Sequence, residues 1–395
     1  MDVTVREGDT LDYYSQLFDV PLALIIDSNR QTEPQNLKIG ECVRIPGFIA
    51  VNYTVRPGDT LWKLAQQKNI DVDALFLLNQ QVNPLQLPVG ELICLPERIT
   101  TRLMNRKTNY SFDVLQKDLK QLIEIYPFIR QRIIGKSVDG RPLYELVIGR
   151  GKRKVHMNGS FHANEWITTP VLMTFLNDYV LSLTNSQPIR EVVSLPLYEK
   201  NTISAVPMVN PDGVNLVLNG PPLNKKDELL KLNKGSTDFS GWKANIRGVD
   251  LNNQYPAKWE IERKRKEEKA PAPRDFPGYK PLSEPEAIAM AQLANQSKFD
   301  RLLALHTQGK EFYWGYEGLE PEESAHLAKR FEQVCGYCSV RYVDSYAGYR
   351  DWFIQEYRKS GFTIELGKGM NPLPLSQFDQ IYEEVLGIFL VSLYD

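Results

Sequence analysis

From about Tyr110 to the last residue, the chain alternates between two kinds of apolar segment. RPLYELVIG, RKVHMNGSFH, NTISAVPMVN, FDRLLALH, SVRYVD and GFTIEL are short, apolar and bounded by turn residues, as strands are. ITTPVLMTFLNDYVLSL, SEPEAIAMAQLANQS, SAHLAKRFEQVCGY, RDWFIQEYRK and SQFDQIYEEVLGIFLVSLY are longer and read as helices. SFDVLQKDLKQLIEIYP is a further helix, ended by Pro127. Ser283 with Glu286 forms a capping-box pattern ahead of one of them. Alternation sustained this long predicts an α/β domain with a mostly parallel sheet covered by helices.

In open α/β sheets, sites collect in the loops beyond the carboxyl ends of the strands. The chain has four histidines. His162 follows one strand, with Glu165 three residues on in NGSFHANEW; His306 ends LLALH, and Glu365 ends GFTIEL. A lone His-x-x-Glu can be an ordinary turn with a structural hydrogen bond. A second strand-ending histidine makes His162, Glu165 and His306 a His₂Glu set, one of those that hold catalytic zinc with a position left for water. Glu365 is then placed to take a proton from the activated water and deliver it to a leaving amine. His156, inside an apolar strand, reads as a satisfied core histidine, and His326 as a solvated helix residue.

The first hundred residues carry a duplication. V-R-x-G-D-T-L begins at Val5 and again at Val55, an offset of 50, and the copies close alike as NLKIGECVRIPG and QLPVGELICLPE. Each copy reads as a strand, a turn with a helix cap, two helices and a closing strand. The turn-and-cap residues are Gly8, Asp9, Thr10 and Leu11 in the first copy and Gly58, Asp59, Thr60 and Leu61 in the second. Cys42 and Cys94 read as buried small hydrophobes. Cys335 and Cys338 read as ordinary buried cysteines, because a structural zinc needs four ligands. The expected organisation is two small units at 2–47 and 51–97, a polar linker at 98–112, and a large domain at 113–395. KWEIERKRKEEKAPAPR (258–274) mixes both signs and then proline, and reads as an exposed helix plus loop.

Composition excludes some classes. A net charge of −2 provides no general basic surface for nucleic acid. No apolar run reaches the roughly 18 to 20 residues that span a bilayer. MDVTVREGDT has neither a basic nor an apolar leader region, so no signal peptide is visible. Four cysteines in 395 residues fit a reducing compartment. The expectation is a cytoplasmic protein, including that of a sporulating cell or spore, and wall-associated only if exported by another route.

The two repeats resemble LysM domains, on their G-D-T-L starts, the Asn after the second helix and their I-P or L-P ends. That resemblance implies binding of N-acetylglucosamine-containing glycans near the first turn, and so contacts from Gly8, Asp9, Thr10, Leu11, Gly58, Asp59, Thr60 and Leu61. The remainder resembles the zinc carboxypeptidase family of the carboxypeptidase A type. The matching segments run in order as G-S-F-H-A-N-E-W, P-M-V-N-P-D-G-V, R-G-V-D-L-N, L-A-L-H-T, D-W and F-T-I-E-L. The resemblance implies a mixed, mostly parallel eight-stranded sheet, one Zn2+ on His162, Glu165 and His306, and Glu365 as general base. It also implies an oxyanion-stabilising cation at Arg247, with Lys243 as the alternative. Asn252 would bind a terminal carboxylate, and Tyr346 or Tyr349 would close over the substrate.

Two departures bear on the substrate. Many family members read V-D-x-N-R-N, with an arginine that clamps the substrate's free α-carboxylate; here the segment is V-D-L-N-N-Q, and Asn253 stands in that place. An amide cannot restore a five-donor charged fork. Arg350, just before Asp351 and Trp352, falls by family position in the leaving-group pocket, where it would welcome a carboxylate. Together with the repeats, this resembles the γ-D-glutamyl-L-diamino acid endopeptidases of spore-forming bacteria. Such a protein takes peptidoglycan stem peptides or muropeptides as partners and splits the γ-D-glutamyl–meso-diaminopimelate bond. Two other readings stay open: a general metallocarboxypeptidase releasing C-terminal amino acids, and a non-catalytic wall-binding protein.

Overall fold

The computed structural model describes residues 1–84, 86–104 and 108–395. The chain divides into two compact units: 1–103 with 118–130 and 177–195, and 104–117 with 131–176 and 196–395. Residues 105–107 of the expected 98–112 linker lie outside the described residues.

In the first unit, β1 (Asp2–Thr4) pairs antiparallel with β2 (Cys42–Arg44), and β3 (Phe48–Thr54) with β4 (Leu92–Arg98). Each pair encloses two short helices, Leu11–Leu17 with Leu22–Ser28 and Leu61–Lys68 with Val72–Leu78. The repeated turns work as caps. Thr10 Oγ1 accepts from Tyr13 N at 3.0 Å, and Thr60 Oγ1 from Lys63 N at 3.1 Å. Gly8 and Gly58 stand at φ +83° and +84°, where a side chain would be strained. The two copies are clasped together: the Arg6 guanidinium reaches both carboxylate oxygens of Asp73, at 2.9 and 2.6 Å, and Tyr13 donates to the same group. Arg98 lies 4.7 Å over the Phe48 ring and donates to Thr184 O at 2.7 Å. Contrary to the sequence reading, Cys42 is exposed and Cys94 half-buried; both occupy outward positions of closing strands.

The eight-stranded sheet comprises β5 (Arg130–Lys136), β6 (Pro142–Gly149), β7 (Arg153–Asn158), β8 (Asn201–Val206), β9 (Arg301–Thr307), β10 (Glu311–Tyr313), β11 (Cys338–Val340) and β12 (Ser360–Leu366). Its order is β11-β10-β12-β9-β7-β8-β6-β5. The four central strands run parallel, while β6 and β10 join antiparallel. Every residue of β9 is buried, as expected of a parallel strand covered on both faces. On one face, Ala287, Met290, Ala291 and Ala294 of the helix Pro285–Ser297 pack with Leu302, Phe353 and Ile354. On the other, Phe331 of the helix Glu322–Cys335 meets Phe362 at 4.8 Å and Phe312 at 5.9 Å.

Some local expectations give way. Ser283 and Glu286 form no capping box: the helix begins at Pro285, and Ser283 donates to Gln254 Oε1. Glu286 instead accepts from Val138 N at 3.0 Å. The helix Trp259–Arg265 is not wholly exposed, because Trp259 and Glu262 are buried, and Glu262 pairs with Arg265 and Lys266. Cys335 is buried, but Cys338 is exposed. His156 is in the core, 3.0 Å from Ser204 Oγ and stacked on Phe299 at 4.5 Å. Its Nε2 has no partner among the described residues, and burial pushes its pKa down to about 3, so the ring stays neutral.

Glu286 gives the fold a pH signature. Burial, reinforced by Asp212 and Glu284, pushes its carboxyl up to about 7 against the pull of the Val138 N–H. A carboxyl that holds its proton more tightly folded than unfolded contributes stability present below its unfolded pKa and lost as pH rises through the folded one. Glu286→Gln should therefore flatten the stability decline between pH 4.5 and 7 and gain on the order of 2–3 kcal/mol over the parent at pH 8. Denaturant unfolding across that range checks this; an unchanged slope counts against it.

Candidate metal centre and active site

The central strands bring the strand-end polar residues together. After β7 the chain turns sharply at Gly159 and at Ser160, which has φ +50°. A Cβ at Gly159 would stand 3.0 Å from Pro207 O, so the turn needs glycine. Thr168 pins the loop by accepting from Ser160 N at 2.8 Å and donating to Glu165 O at 2.8 Å. His162 then enters the 3₁₀ turn Ala163–Glu165. On the neighbouring strands, His306 and Glu365 are direct register partners.

The ligand atoms of His162, Glu165 and His306 all lie within 4.8 Å of one another, and all three residues are buried. Glu165 Oε1 is 2.9 Å from His162 Nδ1, and Glu165 Oε2 is 2.9 Å from His306 Nδ1. The two Nδ1 atoms face each other at 3.2 Å. His162 Nε2 is 3.2 Å from Asp250 Oδ1, so its proton belongs on Nε2 and its Nδ1 lone pair points inward. Converging lone pairs beside a carboxylate repel unless a cation sits among them. The donor set therefore fits a zinc ion held by the three residues. Burial opposes ionisation of Glu165, but His162 and His306 hold its carboxyl well below the usual range.

A second ring of charge surrounds this cluster. Lys243 Nζ lies 3.0 Å from Asp250 Oδ2 and 3.4 Å from Asp275 Oδ1. Burial favours its neutral form, yet Asp250, Asp275 and Glu165 hold it firmly charged. Burial and then Glu165, with Glu311 adding, push the Glu365 carboxyl well above the ordinary carboxylate range against the pull of Lys243 and Arg350. A carboxyl whose proton affinity is raised beside a metal site is suited to taking and returning a proton.

Residues 115–387 match the zinc carboxypeptidase family. The chain belongs to that family. Residues 3–46 and 53–96 match the LysM domain. The chain is 58% identical over 396 residues, covering all of both chains, to gamma-D-glutamyl-L-diamino acid endopeptidase 1 of Lysinibacillus sphaericus. It is 53% identical over 291 residues to the uncharacterised protein YqgT of Bacillus subtilis, covering 72% of this chain and 77% of that one. Among solved structures, thrombin-activatable fibrinolysis inhibitor aligns with a TM-score of 0.59 at 16% identity, over 87% of this chain and 97% of that one. Carboxypeptidase A from Helicoverpa armigera aligns with a TM-score of 0.56 at 17% identity, over 84% and 80%. The fold is that of the carboxypeptidases, and the chain is a zinc metallopeptidase with tandem LysM domains.

Other sequence-predicted residues fall in mixed positions. Arg247 is half-exposed and lies 3.5 Å from Glu284, whereas Lys243 is the cation whose field reaches Glu165 and Glu365. Asn252 Oδ1 accepts from Tyr349 N at 3.1 Å. Asn253 is buried, and its Oδ1 lacks a partner among the described residues. Tyr349 is fully buried among Phe161, Tyr255 and Trp352, so it cannot swing over a substrate. Tyr346 is half-buried between Lys258 and Arg265. Arg350 is no surface residue: it is 4% exposed, with Nε on Asp351 Oδ1 at 3.0 Å and Nη1 without a partner among the described residues. Among the repeat residues, Leu11 and Leu61 are core and offer a sugar nothing to touch. Asp9 and Asp59 hold their turns by accepting from Arg6 N and Arg56 N. Gly8, Thr10, Gly58 and Thr60 remain exposed.

Asp250 was missed by sequence reasoning, although it lies within the V-D-L-N segment. Its contact with His162 sets which ring nitrogen is free. Asp250→Asn should weaken zinc affinity by roughly 10- to 100-fold. Competition with a chromogenic chelator measures this, and an affinity equal to the parent's would remove Asp250 from the site.

Proposed function

We propose that this chain is an endopeptidase that hydrolyses the γ-D-glutamyl–meso-diaminopimelate bond of peptidoglycan stem peptides. The full-length relative named for γ-D-glutamyl-L-diamino acids supports the reaction class. The observation that carries the reading is Arg350, a buried guanidinium with one unpartnered nitrogen, 5.8 Å over Tyr313 beside the strand that bears Glu365. Asp351 pairs with its Nε and Nη2, which leaves Nη1 to receive a second anion, and the diaminopimelate side chain brings a carboxylate. Asn253, in place of the family's arginine, supports cleavage within a chain over trimming at a free C-terminus.

The residues divide the work. Bound zinc supplies a Lewis acid that polarises the scissile carbonyl and makes water acidic near neutral pH. Glu365 takes the proton of the attacking water and passes it to the departing diaminopimelate amine. Lys243 supplies the positive field beside the carbonyl oxygen, the role that Arg247 is too exposed to fill. Asp250 holds both His162 and Lys243. The LysM pair raises the local concentration of the enzyme on N-acetylglucosamine-containing glycan, with Gly8, Thr10, Gly58 and Thr60 as exposed contacts. The four free cysteines support action in a reducing compartment, on wall fragments or within a sporulating cell.

Defined muropeptides incubated with zinc-loaded protein and resolved by mass spectrometry should yield fragments ending in D-glutamate. Glu365→Gln should lower kcat by about 100- to 10,000-fold with zinc content unchanged. Release of C-terminal residues from unrelated peptides, with stem peptides left intact, would replace this reading with general carboxypeptidase action.

A further inference from the structure

Arg350 answers one charge of diaminopimelate, but the distal carbon of a diamino acid also carries an ammonium. β10 holds a group suited to it. Glu311 and Tyr313, two residues apart, share one face of that strand and stand opposite Glu365 and Thr363 of β12. Gly361, two residues before Thr363, lies on the same face of β12, and a Cβ there would come within 3.2 Å of Arg350 Cγ. The absent side chain leaves the space through which Arg350 passes. Its guanidinium lies over the Tyr313 ring, and the Tyr313 hydroxyl donates to Glu311 Oε1. One tyrosine thus carries a cation on its face and a carboxylate at its tip.

Both groups keep hydrogen-bonding capacity to spare, although Asp351 balances the charge of Arg350. Arg350 Nη1 is buried without a partner among the described residues, and Asp351 occupies only its other two nitrogens. Glu311 is half-buried and receives its hydrogen bond from a neutral hydroxyl, not from a cation. Gly309 keeps this corner open, since a Cβ there would stand 2.9 Å from Glu311 Cγ and 3.1 Å from Glu365 Cβ. A ligand bearing both an anion and a cation on one carbon completes both groups at once.

We propose that Glu311, positioned by Tyr313, receives the distal ammonium of the leaving diamino acid, while Arg350 receives the carboxylate that diaminopimelate adds to it. Glu311 selects diamino acids as a class, and Arg350 selects diaminopimelate among them. This deepens the endopeptidase reading and rests on it.

Four L-alanyl-γ-D-glutamyl substrates separate the roles: those ending in meso-diaminopimelate (both groups), L-lysine (ammonium alone), L-2-aminopimelate (carboxylate alone) and L-norleucine (neither). In Glu311→Gln, kcat/KM for the diaminopimelate and lysine substrates should fall about 10- to 100-fold further than for the other two. In Arg350→Gln, the extra loss should fall on the diaminopimelate and aminopimelate substrates. An equal loss on all four in Glu311→Gln would overturn the proposal, because Glu311 would then act only through the charge on Glu365. Equal rates of the parent on diaminopimelate and aminopimelate would overturn it as well. No cleavage of any of the four by the parent would instead remove the endopeptidase reading beneath it. Zinc content and thermal midpoint of each variant establish that the fold is intact.

Discussion

Two imidazole nitrogens facing each other at 3.2 Å, with a carboxylate bridging them, form the constraint around which the catalytic unit is arranged. The three side chains offer a cation convergent donor atoms within 4.8 Å of one another. The cluster's supports are long-range. His162 comes from the loop after β7, His306 and Glu365 from the adjacent β9 and β12, and Asp250 from an irregular segment about ninety residues beyond His162. Four central parallel strands put three of these residues at one edge of the sheet without any of them being close in sequence to the others' strands.

The surrounding charges are graded. Asp250 sits between His162 and Lys243, so a single carboxylate orients a ligand and fixes a cation. Glu365 is surrounded by opposing influences, with Glu165 and Glu311 raising its proton affinity and Lys243 and Arg350 lowering it. That balance sets Glu365 among charges of both signs. A change of charge at Glu311 or Arg350 therefore reaches Glu365 as well.

What the sequence made legible was whatever ended an apolar run. His162, His306 and Glu365 stand at the ends of strands whose hydrophobic bodies announce them, and the matched segments supplied their order. Residues in irregular chain were harder to read. Lys243 and Arg247 are four apart with no periodic pattern to orient them. Their directions follow from backbone bonds such as Lys243 N to Pro273 O at 2.8 Å, which no local rule predicts. β5 was overlooked because RQRIIGK is largely polar on an exposed edge, and β10 because three residues show no period. The helices Ser194–Lys200, Pro211–Asn219 and Lys226–Leu232 are too short to establish one. Tyr349 followed its aromatic neighbours into the core, where packing outweighed its place in a mobile-looking loop sequence.

The clasp between the repeats has a consequence for anyone treating them as interchangeable beads. Asp73 belongs to the second copy, but both of its side-chain partners, Arg6 and Tyr13, come from the first. Excising the leading copy strands a carboxylate without its counter-charge, whereas excising the trailing copy leaves the Arg6 guanidinium with Asp9 of its own copy. The two copies are therefore unequal neighbours: the second leans on the first for its counter-charge more than the first leans on the second.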